Sequence, residues 1–394
     1  MKVAVVNYLD TRNVRVLSGA SHFMIRALER QGAEVTQLGP VSSRWLTASR
    51  YLHGAARMLG RTYDWHHNLL ASRAFGREFA RRLKHGDYDI IYAPLASTEI
   101  AYLETNLPIV YLTDMTFASG KSYYNSFSNL LPFTDREGAT IEKKATTRAT
   151  AIVAPSDWVT KSFHADYGYD ASRLHVVSYG ANLENPPTRD EALAQRDVSV
   201  CRLLLLGVSW ERKGGPLALE TLKMLLASGV KAELLICGCK PPAGVGHPAM
   251  RVLPFLRKDN PAEALELRNL LLTSTFLIVP SEAEAWGFVF GEASACGLPS
   301  VTRDTGGISS VVRDGVNGLL LPADAIPAEY AARIREVLDR PGRYREMCIS
   351  SRNEYETRLN WDSWAARMME IFAAIKAESL AARRVDAKAE QLSQ

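Results

Sequence analysis

Strand-like and helix-like segments alternate along this chain of 394 residues, and the alternation stops once and then restarts. Such a pattern is typical of α/β proteins with parallel sheets. The interruption covers residues 184–199, which carry a Pro-Pro pair and dense charge, as linkers do. The pattern therefore predicts an α/β fold of two Rossmann-like parallel-sheet domains that face each other across a cleft.

The order of the predicted elements sets the predicted domain boundaries. Strands are predicted at 2–6, 35–38, 89–92, 108–112, 151–154 and 175–178, and after the interruption at 202–207, 233–237, 251–253, 276–279 and 299–302. We expect one domain over 1–190 and a second over 191–375, with a C-terminal helix that crosses back to the first. Residues 376–394 are small and polar and are predicted to form a flexible tail.

Composition and charge exclude several classes of protein. The 47 Lys and Arg residues nearly balance the 43 Asp and Glu residues, so the net charge of +4 gives no sign of a nucleic-acid binder. Apolar runs fall far short of the roughly 20 residues that a membrane span needs. Residues 1–6 run straight into polar Asn7, too short a stretch for a signal peptide. The five scattered cysteines are typical of reduced thiols, so we expect a cytoplasmic protein.

The turn after each domain's first strand lacks the G-x-G-x-x-G pattern, and this argues against binding of NAD or FAD. The P-loop pattern G-x-x-x-x-G-K-[ST] is also missing. Asp87 and Asp89 form a D-x-D sequence, but they lie just before a strand, where solvated turns are common. The sequence therefore predicts no metal site and no cofactor.

The most informative stretch is 279–321, VPSEAEAWGFVFGEASACGLPSVTRDTGGISSVVRDGVNGLLL. Gly287 marks the point where a loop gives way to a predicted helix. The amides of Gly287, Phe288 and Val289 would then point out of the helix N-terminus. That end carries partial positive charge and unsatisfied donors, so it suits a diphosphate.

Two glutamates bracket this helix start. Glu292, one turn into the helix, can accept hydrogen bonds from the ribose hydroxyls of a nucleotide. Glu284, on the preceding loop, can accept one from a sugar hydroxyl. Taken alone, the spacing of these residues is equally that of a helix with two solvated glutamates.

The order of motifs in this stretch closely resembles the donor-binding region of retaining glycosyltransferases of family 4, which have the two-domain GT-B fold. The match comprises a strand ending in Pro-Ser, the first Glu, a Gly-hydrophobic run, Glu-Ala-x-Ala-x-Gly-Leu-Pro, then Gly-Gly and Asp-Gly-x-Asn-Gly. Further landmarks are Arg212-Lys213-Gly214, AIVAPSDWV at 151–159, and Tyr179-Gly180-Ala181-Asn182. The resemblance extends over most of the chain.

The resemblance implies a sugar transfer from a nucleotide-diphosphate donor to an acceptor hydroxyl, with retention of anomeric configuration. The acceptor would be a sugar, a lipid-linked molecule or a small molecule in polysaccharide, glycolipid or other glycoconjugate synthesis. Lys213, on the loop after strand 202–207, would neutralise the leaving diphosphate together with Arg212. With Glu284, it makes up the core of the expected catalytic site, and no metal is required.

Three departures from the family pattern bear on the site. Val208 stands where the family usually has an arginine, and Ser310 replaces a usual glutamate. The histidine often found after strand 108–112 is missing, and Asp114 follows that strand instead. We expect Asp114 either to contact the sugar or the acceptor hydroxyl, or to cap a helix. Gly19, in the loop before the first helix, is expected near the donor phosphates or the acceptor.

Two other functions compete with this interpretation. One is a GT-B enzyme that transfers no sugar, such as a nucleotide-sugar epimerase, which would want a carboxylate and histidine set in the N-terminal domain. The sequence reveals no such set there. The other is a non-catalytic protein whose two lobes close on a ligand. The combination of Lys213, Glu284 and Glu292 favours the transferase.

Residues 44–86 carry nine basic and two acidic residues, so their net charge of +7 leaves −3 for the remainder. Arg73, Arg77 and Arg81 follow at helical spacing and form one stripe. A solvated basic face is one interpretation. The other is peripheral contact with an anionic membrane at its inner, cytoplasmic face, or with a lipid-diphosphate-linked acceptor.

Overall fold

The structure of the chain, a computed structural model, describes residues 1–121, 123–340 and 342–392. It divides into two compact units. The N-terminal unit comprises Met1–Val177 together with the chain from Trp364 onward, and the C-terminal unit comprises Ser178–Ser363. Each unit contains its own parallel sheet.

The described residues of the N-terminal unit form a six-stranded parallel sheet in the order β2-β1-β3-β4-β5-β6. The strands are β1 (Lys2–Val5), β2 (Glu34–Gln37), β3 (Ile90–Pro94), β4 (Ile109–Leu112), β5 (Ala151–Ala154) and β6 (Leu174–Val176). The helices are α1 (Ala20–Arg30), α2 (Arg44–Met58), α3 (Leu69–Leu83), α4 (Ser97–Ile100), α5 (Phe117–Gly120), α6 (Pro132–Arg148) and α7 (Asp157–Tyr167). Strands β3, β4 and β5 are buried along their whole length, as expected for a parallel sheet covered on both faces.

The described part of the C-terminal unit forms a second six-stranded parallel sheet, in the order β12-β11-β10-β7-β8-β9. Its strands are β7 (Cys201–Leu206), β8 (Ala232–Cys237), β9 (Met250–Leu253), β10 (Phe276–Ile278), β11 (Ser300–Arg303) and β12 (Gly318–Leu321). Its helices are α8 (Arg189–Ala192), α9 (Gly215–Ala227), α10 (Pro261–Thr273), α11 (Phe288–Ala295), α12 (Ile308–Val311), α13 (Pro327–Leu338) and α14 (Arg343–Thr357). The last helix, α15 (Trp361–Leu392), begins in this unit and continues in the N-terminal one.

The predicted α/β fold with two Rossmann-like parallel sheets is confirmed, and eleven strands lie within one or two residues of their predicted positions. Strand β12 was not predicted, because its four residues follow closely on a glycine-rich turn within the 279–321 stretch. None of the helices in the described ranges is long and apolar enough to cross a membrane.

The division between the units falls at 177/178, whereas the sequence placed it at 190/191. The reason is that the charged 184–199 segment packs on the C-terminal unit. The Arg189 guanidinium contacts the Glu356 carboxylate, and Arg196 donates to the carbonyl of Leu272 at 3.1 Å. The expected tail over 376–394 is helical as far as Leu392, and residues 393–394 lie outside the described ranges.

Candidate functional site

Lys213 and Glu284 form an ion pair in the C-terminal unit, beyond the carboxyl ends of adjacent strands. Parallel pairing joins β7 to β10, so the loops that follow them emerge at the same edge of the sheet. The ammonium nitrogen of Lys213 donates to Oε2 of Glu284. Their side chains are only 9% and 13% exposed, so the pair is largely withdrawn from water.

Arg212 adds a second positive charge to this pair. Its Nη1 lies 3.7 Å from Oε2 of Glu284 and donates to the carbonyl of Ala283 at 3.1 Å. The amide of Glu282 donates to the carbonyl of Arg212 at 2.8 Å, which ties the two loops together. The structure thus brings together three of the predicted site residues, Arg212, Lys213 and Glu284.

Glycines make room for the Lys213–Glu284 pair. A Cβ on Gly207 would lie 2.5 Å from Cγ of Lys213, so only glycine lets the lysine stem cross the end of β7. A Cβ on Gly287 would lie 3.2 Å from Cγ of Glu284 and 2.6 Å from the ring of Phe290. These close approaches explain why both loops carry glycine at these positions.

The predicted helix start at Gly287 is present. Gly287 has φ +84° and is the N-cap of α11, which begins at Phe288. No side chain caps this end, and its first turn carries no acidic residue. The first amides of a helix have no acceptor within the helix and carry partial positive charge. The Gly287, Phe288 and Val289 amides therefore form an anion-attracting end beside Glu284.

Glu292 lies one turn further along α11 and is only 1% exposed. The ammonium group of Lys258 contacts its Oε1 atom. A buried carboxylate needs such a counter-charge. Lys258 was not among the predicted site residues, and its place in the charged loop after β9 gave only a weak signal.

An aromatic stack holds the first residue of α11. The rings of Tyr179 and Phe288 lie 5.6 Å apart at an interplanar angle of 4°, and Tyr179 also stacks on Trp361 at 6.0 Å. The indole nitrogen of Trp361 donates to Oδ1 of Asn182 at 3.2 Å. The segment 179–182 thus positions the N-terminus of α11. The sequence did not predict this role for the segment.

The other two predicted site residues, Asp114 and Gly19, belong to the N-terminal unit. Asp114 is half-buried and follows β4. The N-cap of the next helix, α5, is Thr116, which accepts from the amide of Ser119 at 2.9 Å, so the alternative role of Asp114 as a helix cap is wrong. Gly19 is buried, has φ +82° and is the N-cap of α1.

A buried polar cluster in the N-terminal unit was missed by the sequence analysis. Nδ1 of His67 lies 2.5 Å from Oδ2 of Asp64, and Nε2 of His67 lies 3.3 Å from Oγ of Ser97. Although burial opposes ionisation of both groups, their mutual attraction lowers the pKa of Asp64 and raises the pKa of His67. Burial and the charge of His67 lower the pKa of His66 to about 4.

Two buried glutamates lie in the same unit. Glu99 accepts from the amide of Tyr8 at 2.9 Å, and burial raises the pKa of Glu99 to about 7. Glu142 accepts from the hydroxyl of Tyr111 at 3.1 Å and from the amide of Phe117 at 3.2 Å, and burial raises its pKa as well. The signal that could have revealed Glu99 is its position inside the mostly apolar stretch 93–103.

The D-x-D aspartates contact lysines. Asp87 lies 3.0 Å from the ammonium group of Lys2, and Asp89 lies 2.7 Å from that of Lys376. Throughout the described ranges, no group of three or more His, Cys, Asp or Glu side chains is arranged to hold a metal ion.

Two family models match the chain. Residues 22–185 match the model described as Glycosyltransferase Family 4, and residues 201–340 match the one described as Glycosyl transferases group 1. The chain belongs to this glycosyltransferase family. The resemblance seen in the sequence is therefore confirmed.

Curated relatives include the D-inositol 3-phosphate glycosyltransferases of Geodermatophilus obscurus and Thermomonospora curvata. The first is 29% identical over 61% of this chain and 56% of the relative, and the second is 26% identical over 60% and 59%. The match thus spans little more than half the length of these relatives.

Solved structures support the GT-B fold. Sucrose-phosphate synthase from Thermosynechococcus elongatus superposes with a TM-score of 0.65 at 16% identity, covering 96% of this chain and 99% of the other. Anabaena HepE in complex with UDP and glucose gives a TM-score of 0.63 at 16% identity, covering 95% and 100%. At 16% identity, the similarity to both structures shows a shared fold.

Proposed function

We propose that this protein is a retaining glycosyltransferase that moves a sugar from a nucleotide-diphosphate donor to an acceptor hydroxyl. The observation that carries the proposal is the buried Lys213–Glu284 pair beside the uncapped N-terminus of α11. The Lys213 cation and the Glu284 carboxylate, which can accept a hydrogen bond from a sugar hydroxyl, are in direct contact. Both lie next to amides that attract phosphate. Family membership supports the same reaction.

Donor binding changes the partners of Lys213. With Glu284 as its partner, the lysine is held at the carboxyl edge of the sheet. The diphosphate oxygens of a bound donor become its new partners, and the carboxylate of Glu284 then accepts from a hydroxyl of the transferred sugar. Arg212 and the first amides of α11 add positive charge around the same phosphates.

The reaction needs no protein nucleophile. The bond between the anomeric carbon and the phosphate oxygen breaks, and the acceptor oxygen bonds to that carbon on the same face. The acceptor's proton passes to the departing phosphate oxygen. Lys213, Arg212 and the helix end stabilise the negative charge that develops there, and this role requires neither a metal nor another cofactor.

Glu292 serves the nucleotide ribose in this proposal. Its carboxylate is buried and balanced by Lys258, so ribose hydroxyls can take up the contact that the lysine makes. Lys258 lies just after the segment Pro254–Leu256, which we propose reads the base through its backbone groups. Asp114 contacts the sugar or the acceptor hydroxyl, and Gly19 approaches the donor phosphates or the acceptor.

A donor panel tests the proposed reaction. Purified full-length chain is incubated with UDP-, GDP- and dTDP-sugars, and nucleotide release is measured with simple sugar and lipid-linked acceptors. We expect release from one nucleotide class, with an α-donor giving an α-product by NMR. Lys213→Ala should lower the rate by about 10²–10³-fold. Lys231→Ala, an exposed lysine before β8, is the matched control and should leave it unchanged.

The panel also separates the competing functions. If the donor sugar were released as its epimer at carbon 2 when no acceptor is present, the protein would be an epimerase. Donor binding without cleavage, unaffected by Lys213→Ala, would identify a binding protein. Either result contradicts the transferase proposal.

We further propose that residues 44–86 hold the protein peripherally on an anionic membrane at its cytoplasmic face, where a lipid-linked acceptor would lie. Support comes from α2 and the residue after it, which expose Tyr51, Leu52, Met58 and Leu59 at 78%, 54%, 83% and 80%. Arginines occur along the same helix. Exposed apolar side chains among cations are typical of helices that lie in the membrane interface.

Vesicle co-sedimentation tests this contact. We expect binding to vesicles containing anionic phosphatidylglycerol and little binding to neutral phosphatidylcholine vesicles. Met58→Ser combined with Arg57→Glu should reduce it, whereas Arg136→Glu on α6 should not. Equal binding to both vesicle types would contradict the proposal.

A further inference from the structure

The surface of the N-terminal unit has a groove whose lining residues are not among those assigned to sugar transfer. Its cavity volume is about 460 Å³. Its walls include the cations Arg73, Arg77, Arg81 and Lys84 of α3 and its C-cap, with Tyr102 and Glu104 from the chain after α4.

Close helix packing creates the groove. A Cβ on Gly76 would lie 2.4 Å from the carbonyl oxygen of Tyr102, so glycine lets α3 pack directly against the backbone there. Gly76 and Ala80, with little or no side chain, line the groove together with the long side chains of α3. The predicted basic stripe is solvent-exposed and borders a cavity.

The positive charge of the groove is largely unbalanced. Arg81 is bidentate on Glu78, with contacts of 2.7 and 3.0 Å, and the Arg73 guanidinium lies 5.3 Å from the centre of the Tyr102 ring. Arg77 and Lys84 form no ion pair with any carboxylate of the described ranges. Among the described residues that line the groove, Glu104 is the single carboxylate.

We propose that this groove binds a phosphate monoester. A phosphate dianion matches paired cations better than a carboxylate does, because it has more acceptor oxygens and more charge. Arg77 and Lys84, the C-cap of α3, are seven residues or about two turns of helix apart on the same face, and their long side chains would share the phosphate. Glu104 then accepts from hydroxyls on the carbon skeleton of the ligand. The Tyr102 ring, which Arg73 and Lys144 approach to 5.3 and 5.1 Å, keeps the Arg73 guanidinium at the wall of the groove.

The phosphate monoester has two sources that the groove chemistry alone does not distinguish. One is a soluble phosphorylated metabolite, and the other is a lipid headgroup such as that of phosphatidic acid. The proposal goes beyond the transfer reaction, since none of the residues that carry it is placed in the donor site.

Calorimetric titration of the full chain with glycerol 3-phosphate tests the soluble source. Vesicles of phosphatidylcholine with phosphatidic acid test the lipid source, against vesicles of equal surface charge made with the diester phosphatidylglycerol. In whichever arm binds, Arg77→Ala and Lys84→Ala should each weaken binding about tenfold or more. The matched control is Lys143→Ala, an exposed lysine on α6 that does not line the groove.

Saturable binding of glycerol 3-phosphate supports a soluble ligand, and preference for phosphatidic acid over the diester supports a headgroup. No saturable binding in the first arm, with equal binding of both anionic vesicles in the second, overturns the proposal. Binding that the two groove substitutions leave unchanged also overturns it. Circular dichroism confirms that each variant is folded, and the exposed positions of both residues favour this.

Discussion

Each unit of the molecule contains a buried pair of a carboxylate with a basic side chain, but the surroundings differ. In the C-terminal unit, Lys213 and Glu284 lie on two glycine-bearing loops beside an uncapped helix end. In the N-terminal unit, Asp64 and His67 lie three residues apart, and Oδ1 of Asp64 accepts from the amide of His66 at 3.0 Å.

The difference is whether the pair can change partners. We call Lys213–Glu284 the exchangeable pair and Asp64–His67 the closed pair. Every polar atom of the Asp64 carboxylate and of the His67 ring has a protein partner, so this pair stabilises the fold. The Lys213 ammonium can exchange Glu284 for phosphate oxygens, which the adjacent α11 amides also attract. Burial and pairing alone therefore do not identify a binding site, whereas a neighbouring set of unused donors does.

The largest effect on stability should come from breaking the closed pair. His67→Leu leaves the Asp64 carboxylate buried without its counter-charge, and we expect a loss of about 3–5 kcal/mol in the free energy of unfolding. Urea denaturation measures it. Adding Asp64→Asn should restore part of the loss, and a cost below 1 kcal/mol for His67→Leu would contradict the closed-pair interpretation.

Breaking the exchangeable pair should affect the reaction more than the fold. Glu284→Gln keeps the size of the side chain but weakens both its contact with Lys213 and its acceptor strength toward a sugar hydroxyl. We expect kcat/KM for the donor to fall about 100-fold, roughly 3 kcal/mol. The loss in the free energy of unfolding should be smaller than this, because the amide oxygen of the variant can still accept from Lys213. Exposed Glu282→Gln, two residues earlier, is the control. A stability loss larger than the loss of activity would make Glu284 a structural residue.

Titration sharpens the comparison further. Because the pKa of Glu99 is about 7, the folded chain holds this proton where the unfolded chain has lost it, so its contribution to stability is present at low pH and declines toward pH 7. Glu99→Gln removes that dependence. The stability of the parent relative to this variant should fall by about 2–3 kcal/mol between pH 5 and pH 8. A constant difference across this range would contradict the assignment.

The histidines act in the same pH range, but they are common to parent and variant. His67, with a raised pKa, stabilises the fold below its unfolded pKa and loses that contribution as the pH rises. His66, with a pKa of about 4, does the reverse and costs stability as the pH falls below 6.5. Because the charge of Glu99 helps to raise the pKa of His67, the comparison with Glu99→Gln measures the glutamate together with its effect on His67.

What the sequence predicts well is what lies on consecutive residues. The alternation of strands and helices, the helix start at Gly287 and the loop position of Lys213 all follow from local patterns, and the structure contains each of them. The sequence named Lys213 and Glu284 as residues of one expected site, but it did not predict the contact between them.

Contacts between distant residues were the part that the sequence did not reveal. Lys258 pairs with Glu292 across 34 positions of sequence, and Ser97 meets His67 across 30. Neither pair produces a periodic or spaced signal. The unit boundary was misplaced for the same reason, since the composition of 184–199 resembles a linker while its side chains bind one unit.

The ring stack of Tyr179, Phe288 and Trp361 has a consequence for protein engineering. Residues 178–363 are one uninterrupted stretch of chain, and Tyr179 and Trp361 bring its two ends into contact, supported by the hydrogen bond of 3.0 Å from the Ala181 amide to the Leu359 carbonyl. A segment whose ends meet can be excised or transplanted as a cassette without a long connector. Because Phe288 opens α11, the junctions of such a graft lie directly against the proposed phosphate-binding turn. Chimeras that exchange donor preference should therefore keep all three rings from the same parent.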